Sequence, residues 1–326
     1  ACARARARSC DCVCACACAC VCVCVCVCVC ILQWEFKSRF VHKWGSKGSA
    51  NGQFNVPLFV AVCPRTGDIL VSDSGNHRVQ RFSADGTYRL QWGGAGADDG
   101  QFQYPTGVAV SANGDVFVAD KDNHRVQVFD GSGRFVRKFG SEGSGPAQLR
   151  DPHGVCVHGD QVFVADCGNH RICVFSRSGT FVRSWGGPSA GSGDGEFDLP
   201  VGVAVCARSS RVYVTDFRNA RVQVFGVDGS FLHKWGSRGS GAGQLNGPYG
   251  VSVSPSGDVL VADSGNHRVE QYGASGEYVC TLLGGGGEGS GDGQFSYVCG
   301  VAVCPLSGRV VTSEVGDGAH RVQVFA

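Results

Sequence analysis

The amino-acid sequence has no methionine, little proline and no surplus of either charge. The missing methionine predicts that the chain is a fragment, a processed form or the product of a misplaced gene start. Only 10 prolines stand beside 50 glycines, spread along 326 residues, which excludes a collagen-like or disordered composition. The chain carries 29 basic and 28 acidic residues. A general nucleic-acid binder needs a clear positive excess, so the composition argues against that class.

Cysteine pairs at the spacing of a zinc site are also absent. The chain has 20 cysteines but no Cys-x-x-Cys pair, so it lacks the spacing of a zinc module. Eight cysteines lie scattered beyond residue 30, which fits small core residues in a reducing compartment better than a disulfide framework. We therefore predict a cytoplasmic protein without a metal site. No nucleophile elbow, phosphate loop or His-Glu-x-x-His motif occurs, so no catalytic residue and no cofactor is predicted.

The first 33 residues form a low-complexity tail, which we predict to be disordered or an artefact of the gene model. Twelve of the 20 cysteines fall within residues 1–30, nearly all at every second position. A repeated GTGTGT codes for such Cys-Val alternation, so we favour a translated dinucleotide repeat. The alternative is a membrane anchor, because residues 12–32 are apolar and long enough to span a bilayer. A metal-binding cysteine tract is a third alternative.

Beyond the tail, one sequence pattern recurs six times. In its second copy, residues 118–127 read Val-Ala-Asp-Lys-Asp-Asn-His-Arg-Val-Gln. The arginines of the six copies, separated by 46 to 53 residues, are Arg78, Arg125, Arg171, Arg221, Arg268 and Arg321. Each copy divides into four apolar runs, which in the second copy are residues 107–110, 115–120, 125–129 and 135–139. Four short strands repeated at this length predict the blades of a β-propeller.

The phase of the repeat predicts how the ring closes. The first recognisable strand, residues 40–44, ends in an aromatic residue like a fourth strand, but no first or second strand precedes it. The last strand, residues 321–325, has the sequence of a third strand without a fourth strand after it. The first strand can therefore complete the last blade, which removes an otherwise open sheet edge. We predict an all-β, six-bladed propeller over residues 34–326, closed by its N-terminal strand.

The repeated Asn-His-Arg element, with Asp three residues before Asn, resembles the NHL repeat family. So do Gly-Gln-Phe at residues 100–102 and the Pro-x-Gly-Val-Ala-Val strands at residues 105–110 and 200–205. The resemblance implies a six-bladed propeller that binds proteins or RNA. Such propellers often form the substrate-recognition end of tripartite-motif ubiquitin ligases, whose upstream RING and B-box zinc modules are not visible in this sequence.

A residue that recurs in every blade fits a structural role better than a catalytic one. Within one turn an aspartate and an arginine can pair bidentately, and the asparagine tolerates a left-handed backbone. The repeated histidines take the same structural interpretation. The predicted structural pairs are Asp73 with Arg78, Asp120 with Arg125, Asp166 with Arg171, Asp216 with Arg221, and Asp263 with Arg268.

The blades differ at the residue between Pro and Gly of the first strand, which in propellers lies near the mouth of the central channel. These residues are Leu58, Thr106, His153, Val201, Tyr249 and Cys299. The resemblance implies, for the peptidyl-amidating lyase, three Pro-His steps that bind zinc, and only His153 matches here. No carboxylate occupies any of the six positions, so the oxygen-rich ion site of gluconolactonase-like propellers is not supported.

We predict partner binding on the variable loops around this mouth, while the oligomeric state stays open and a membrane partner is not expected. The predicted partner-binding residues are Thr106, Lys121, His153, Phe217, Arg218 and Tyr249. Acidic and basic residues intermix on these loops, which favours a protein or peptide over the phosphates of RNA. The leading interpretation is a non-enzymatic recognition scaffold. The alternatives are an RNA-binding propeller, whose rings stack on bases, and a metal-dependent lyase or lactonase.

Overall fold

The computed structural model describes residues 39–316 and 318–326, and this part of the chain folds into a six-bladed β-propeller. Its 24 strands form six antiparallel four-stranded sheets, one to a blade, which confirms the predicted fold class. The predicted tail of residues 1–33 and its boundary with the propeller lie outside the described residues. No helix among the described residues is long and apolar enough to cross a membrane.

Each blade runs from strand a at the central channel to strand d at the outer edge. The a strands, β2, β6, β10, β14, β18 and β22, are Pro57–Val62, Pro105–Val110, Pro152–His158, Pro200–Val205, Pro248–Val253 and Val298–Val303. The b strands, β3, β7, β11, β15, β19 and β23, are Ile69–Asp73, Val116–Asp120, Gln161–Asp166, Arg211–Asp216, Val259–Asp263 and Val310–Glu314. The b strands are almost wholly buried, as their continuous apolar sequences predict.

The third strand of each blade is largely buried, and the fourth, outermost strand is more exposed. The c strands, β4, β8, β12, β16, β20 and β24, are Arg78–Phe82, Arg125–Phe129, Arg171–Ser176, Arg221–Gly226, Arg268–Tyr272 and Arg321–Phe325. The d strands, β1, β5, β9, β13, β17 and β21, are Phe40–Trp44, Tyr88–Gly93, Phe135–Phe139, Phe181–Gly186, Phe231–Trp235 and Tyr278–Leu283. Short 3₁₀ turns join b to c at Ser74–Asn76, Lys121–Asn123, Cys167–Asn169 and Ser264–Asn266.

The N-terminal strand closes the ring as predicted. Strand β1 pairs antiparallel with β24, so the sheet of the sixth blade contains the first and the last strands of the described chain. Lys43 lies opposite Gln323, and Trp44 lies opposite Val322. The backbones of Arg39 and Ala326 also exchange two hydrogen bonds, of 2.8 and 2.9 Å. No blade of the described ring is therefore left without its outer strand.

The hydrophobic core lies between the blades. It consists of six clusters of buried side chains, and each cluster draws its members from two neighbouring sheets. The aromatic residue near the end of strand d contributes to this contact in five blades. Trp92 of the first blade, for example, packs on Phe129 of the second with ring centroids 5.9 Å apart. In the fifth blade Leu283 takes this place and packs beside Phe325.

Antiparallel strands bring the d–a connections and the b–c turns to the same side of the ring, which we call the loop face. Hydrogen bonds within each blade join the two kinds of connection, as between Gln103 and Asp120. The a–b and c–d turns form the opposite face. The predicted partner-binding residues Lys121, Phe217 and Arg218 follow b strands, so the topology places them on the loop face.

Candidate partner-binding site

One buried aspartate in each of the first five blades ties the d–a loop to the sheet. In the second blade Arg125 Nε donates to Asp120 Oδ2 at 2.7 Å, and Asn123 Nδ2 donates to the same oxygen at 2.9 Å. The backbone N–H of Gln103 donates to Asp120 Oδ1 at 2.7 Å. The same arginine-to-aspartate contact, at 2.7 to 2.9 Å, joins Arg78 to Asp73, Arg171 to Asp166, Arg221 to Asp216, and Arg268 to Asp263.

The ion pairs form through one arginine nitrogen rather than the predicted two. The other nitrogens of Arg125 donate to the carbonyls of Ala97, Asp98 and Gln101 in the d–a loop. The guanidinium thus lies between the aspartate and the loop. A bidentate pair with Asp120 would use a second nitrogen, and that nitrogen could then no longer donate to the loop carbonyls. These contacts hold the d–a loops of the loop face in a fixed position on the sheets.

The histidine of the turn joins one blade to the next. His124 has a left-handed backbone, with φ 54°, and its Nδ1 accepts the N–H of Asp151 at 3.2 Å. Equivalent bonds run from Tyr104 to His77, from Leu199 to His170 and from Val56 to His320, the last across the closure of the ring. The left-handed residue of this turn is the histidine and not the predicted asparagine.

Several predicted partner-binding residues meet at the channel mouth. The hydroxyl of Tyr249 lies 3.4 Å from His153 Nδ1, and their ring centroids are 6.0 Å apart. The ring of Phe217 lies edge-on to Tyr249 at 6.2 Å. Burial lowers the pKa of His153, and the positive charge of Lys121 adds to this lowering, so the lysine lies within electrostatic range of the imidazole. Residues from four blades therefore converge on one small surface.

The remaining two predicted residues lie differently. Thr106 is fully buried, and its hydroxyl donates to the carbonyl of Pro152 at 2.9 Å, so a docked partner cannot contact it. Arg218 is exposed, whereas the rings at the mouth are partly buried. Its side chain is 62% exposed and lies 3.8 Å from Asp198. Arg218 is therefore available to a partner that docks on the loop face.

Phe59 belongs to the mouth but was not among the predicted residues. Its ring lies 5.4 Å from that of Tyr249, although the two belong to blades far apart in sequence. The other five blades have glycine at this position, where the next blade approaches closely. A Cβ on Gly107, for example, would lie 2.3 Å from the carbonyl oxygen of His153. The interrupted Pro-x-Gly pattern of the first blade was the sequence signal that could have identified Phe59.

Two tyrosines complete the surroundings of the mouth. Tyr104 precedes strand β6, and the Lys121 ammonium lies 5.4 Å from its ring centroid. Tyr297 takes the equivalent place before strand β22 of the sixth blade. Six partly exposed rings, one from each blade, thus surround the mouth. We call this set the aromatic rim, and its members are Phe59, Tyr104, His153, Phe217, Tyr249 and Tyr297.

The centre of the aromatic rim is uncharged at neutral pH. Burial lowers the pKa of His153 to about 4, so its imidazole stays neutral. Burial also raises the pKa of the Tyr249 hydroxyl well above its usual range, which keeps it protonated. No group of three His, Cys, Asp or Glu side chains able to hold a metal ion occurs among residues 39–316 and 318–326. Such a centre suits the recognition of a side chain by shape, hydrogen bonding and ring contacts.

Comparison with known proteins gives one family. The model of the NHL repeat matches residues 54–82, 102–129, 149–175, 197–225 and 245–272, one match in each of the first five blades. The chain is also 45% identical to human E3 ubiquitin-protein ligase TRIM32 over 47 residues. That match covers 14% of this chain and 7% of the ligase, so the chain corresponds to a small part of that relative.

Solved structures share the architecture at low sequence identity. A gluconolactonase, XC5397 from Xanthomonas campestris, superposes with a TM-score of 0.60 and 15% identity, covering 84% of this chain and 87% of that one. A streptogramin B lyase superposes with a TM-score of 0.56 and 12% identity, covering 81% and 77%. A Bacteroides thetaiotaomicron protein of unknown function gives 0.59 and 16%, covering 88% and 70%. At such identities the likeness shows the fold alone.

Proposed function

The chain belongs to the family of NHL-repeat six-bladed β-propellers, and from this premise we propose that it is a non-enzymatic scaffold that binds a protein or peptide on its loop face. The observation that carries the proposal is the aromatic rim. Its six rings come from six different blades and stand on a base that the repeated aspartate, arginine and histidine contacts hold in place. Rigid presentation of large amphipathic rings favours tight recognition, because little side-chain entropy is lost on binding.

The similarity to a human ubiquitin ligase supports a narrower proposal. TRIM32 is described as an E3 ubiquitin-protein ligase, and the matching segment is 47 residues long. We propose that the propeller selects the substrate of such a ligase. Any transfer of ubiquitin would then be performed by a module other than the described propeller.

Affinity purification with variants on opposite faces tests the proposed scaffold. The loop-face variant combines Phe217→Ala with Arg218→Ala. The control combines Leu306→Ala with Arg134→Ala, two residues on the opposite face with exposures of 62% for Leu306 and 81% for the Arg134 side chain. Proteins recovered with the wild type and the control, but lost with the loop-face variant, would support docking on this face. Equal recovery by all three proteins would contradict it.

RNA is the second candidate partner, because the aromatic rim and Arg218 offer surfaces on which bases can stack. Against it stands the mixture of acidic and basic side chains around the mouth. RNA binding would weaken steeply between about 50 and 200 mM salt, since phosphate contacts release counterions. Titration with single-stranded RNA at both concentrations measures this. Absence of binding at the lower salt concentration would reject RNA.

A metal-dependent lyase or lactonase is the third candidate, and its support is the similarity of fold to a streptogramin B lyase and a gluconolactonase. The six positions between Pro and Gly at the mouth carry no carboxylate. Elemental analysis of the purified protein tests this candidate. One divalent ion bound to each chain would favour it over the scaffold.

A further inference from the structure

We infer that a cavity between the fifth and sixth blades receives the ammonium group of a lysine side chain of the partner, held by the Glu288 carboxylate and the His267 imidazole. The inference rests on the proposed function, because the cavity opens on the same loop face. It also goes beyond that function, since a protein can dock on the loops without filling this cavity.

The cavity lies where the sixth blade departs from the repeat. In the second blade strand a begins with Pro105, and Tyr104 before it has a φ of 58°. In the sixth blade Val298 replaces the proline, and Tyr297 before it lacks the positive φ. A cavity of about 650 Å³ lies beside this altered strand. The side chains that line it belong to His267, Glu288, Ser290, Ser296, Tyr297 and Val315.

The altered strand gives His267 a different hydrogen bond from the other turn histidines. His124 Nδ1 accepts the backbone N–H of Asp151. His267 Nδ1 instead meets the backbone carbonyl oxygen of Ser296. A carbonyl oxygen only accepts, so Nδ1 of His267 carries the hydrogen, and the lone pair of the neutral imidazole is on Nε2. His267 therefore offers the cavity a hydrogen-bond acceptor.

A second acceptor faces this nitrogen. His267 Nε2 and Glu288 Oε2 are 3.9 Å apart, which is too long for a direct hydrogen bond. A donor nitrogen placed between them can lie about 2.9 Å from both atoms. The neutral Nε2 and the carboxylate both accept, so the group between them has to donate twice. An ammonium supplies both donors and the charge that complements the carboxylate.

The lining residues favour a lysine over other charged groups. None of the described residues that line the cavity is basic, so an anion would meet only the repulsion of Glu288. The planar guanidinium of an arginine matches the two oxygens of one carboxylate. An ammonium donates in three directions that do not share a plane, which suits acceptors on two separate loops. The hydroxyls of Ser290 and Ser296 line the same space and can accept the third bond.

The connection between the second and third blades provides an internal comparison. Glu142 and Glu288 take equivalent positions, because each forms the isolated bridge of its d–a loop, with Leu149 and Phe295 respectively. Beside Glu142, however, the histidine uses Nδ1 as an acceptor, and strand a begins with a proline. The same acid therefore occurs without the altered strand, which makes Glu142 a matched control.

NMR titration of the full chain with three small probes tests the ligand. The first probe is N-acetyl-lysine methylamide. The second has an additional acetyl group on the side-chain nitrogen, which removes the charge, and the third is N-acetyl-arginine methylamide. We expect the lysine probe to bind about tenfold more tightly than the other two, since hydrogen bonds to charged groups are the stronger ones. Failure of the lysine probe to bind, or equal binding by either of the other probes, would overturn the inference.

Variants locate the binding. Glu288→Gln keeps the shape of the side chain but removes its charge, and it should weaken the lysine probe about tenfold. His267→Ala should weaken it about threefold or more, and Ala220 at this position of the fourth blade shows that the turn forms without histidine. Glu142→Gln should bind like the wild type. Unchanged binding by Glu288→Gln, with an unchanged melting temperature, would overturn the inference.

The partner and the probe give separate answers. If partners are lost with Phe217→Ala and Arg218→Ala but the lysine probe does not bind, the scaffold proposal stands and the lysine site is wrong. If the probe binds through Glu288 but no partner depends on the loop face, the ammonium site stands and the scaffold proposal is wrong. Full recovery of the partner by Glu288→Gln would show that the cavity takes a free amine, which would overturn the assignment to a lysine of the partner.

Discussion

The second and fifth blades have the same four strands and the same turn with an aspartate and an arginine. They differ in strand c, at the second residue after the arginine. In the second blade Gln127 accepts the N–H of Gly100 at 2.9 Å and donates to the carbonyl of Gln101 at 2.6 Å. The fifth blade has Glu270 at this position. Glu270 is fully buried and lies 2.6 Å from the Nε of Arg268. The comparison shows that a change from an amide to a carboxyl at one position replaces a hydrogen-bond donor to the loop with a buried acid.

The fifth blade differs in its outer strand as well. Its pairing with β20 shifts register twice, once beside Glu270, and Leu282 is the extra residue between Thr281 and Leu283. In the second blade β8 and β9 shift register once. Burial raises the pKa of Glu270 to about 7, with a further contribution from Asp263, while Arg268 and Thr281 oppose the shift. The second blade is therefore the reference for the repeat, and the fifth departs from it at Glu270 and Leu282.

Removing the aspartate of the reference blade should have the largest effect. Asp120→Ala leaves the buried Arg125 without its counter-ion, and this should lower the free energy of unfolding by about 3–5 kcal/mol. Urea denaturation followed by tryptophan fluorescence measures the loss. Asp160→Ala, at an exposed aspartate of the third blade, is the control. A loss no greater than that of the control would show that the turn does not depend on this ion pair.

The second-largest loss of stability is expected when the acid of the fifth blade is introduced into the second blade. Gln127→Glu brings a carboxylate beside Asp120 and the carbonyl of Gln101, where an amide donates in the wild type. We expect a loss of about 2 kcal/mol at pH 8 and a smaller loss at pH 5, where the new carboxyl is protonated. Denaturation at the two pH values checks this. An equal loss at both would mean that the second blade tolerates the charge.

The reverse exchange should stabilise the fifth blade. The folded pKa of Glu270 is about 7, above the ordinary value of 4.5. Between these values the folded chain keeps a proton that the unfolded chain has lost, so stability falls as the pH rises through this window. Glu270→Gln should remove that fall and gain about 1–2 kcal/mol at pH 8, with little gain at pH 4.5. A gain that does not depend on pH would contradict the assignment to Glu270.

The smallest effect is expected at the bond between blades. His124→Ala removes the acceptor for the N–H of Asp151, which should cost about 1 kcal/mol. The fourth blade already has Ala220 at this position, so the backbone can adopt the same turn without histidine. Thermal unfolding measures the change. An unchanged melting temperature would mean that this bond adds nothing to the contact between the second and third blades.

The fold was predictable because its signals are repeated. The spacing of Arg78, Arg125 and their equivalents gave the blade number, and the sequence of residues 40–44 gave the closure. The site was less predictable, because it depends on side chains brought together from distant blades. Tyr249 and His153 were found from their position beside Pro, whereas Phe59 was not, since its significance lies in replacing a glycine. Thr106 shows the converse, because its position at the mouth does not reveal that its hydroxyl is bonded inward.

The two hydrogen bonds between Arg39 and Ala326 place both ends of the ring side by side at the edge of the sixth blade. A short linker can therefore join them, and the chain can be opened in another connection, such as the one between β13 and β14, without removing a strand from any sheet. Such a circular permutant would keep the aromatic rim and would move the point at which a fused domain leaves the propeller. The order of the blades along the chain is thus separable from the surface that they build together.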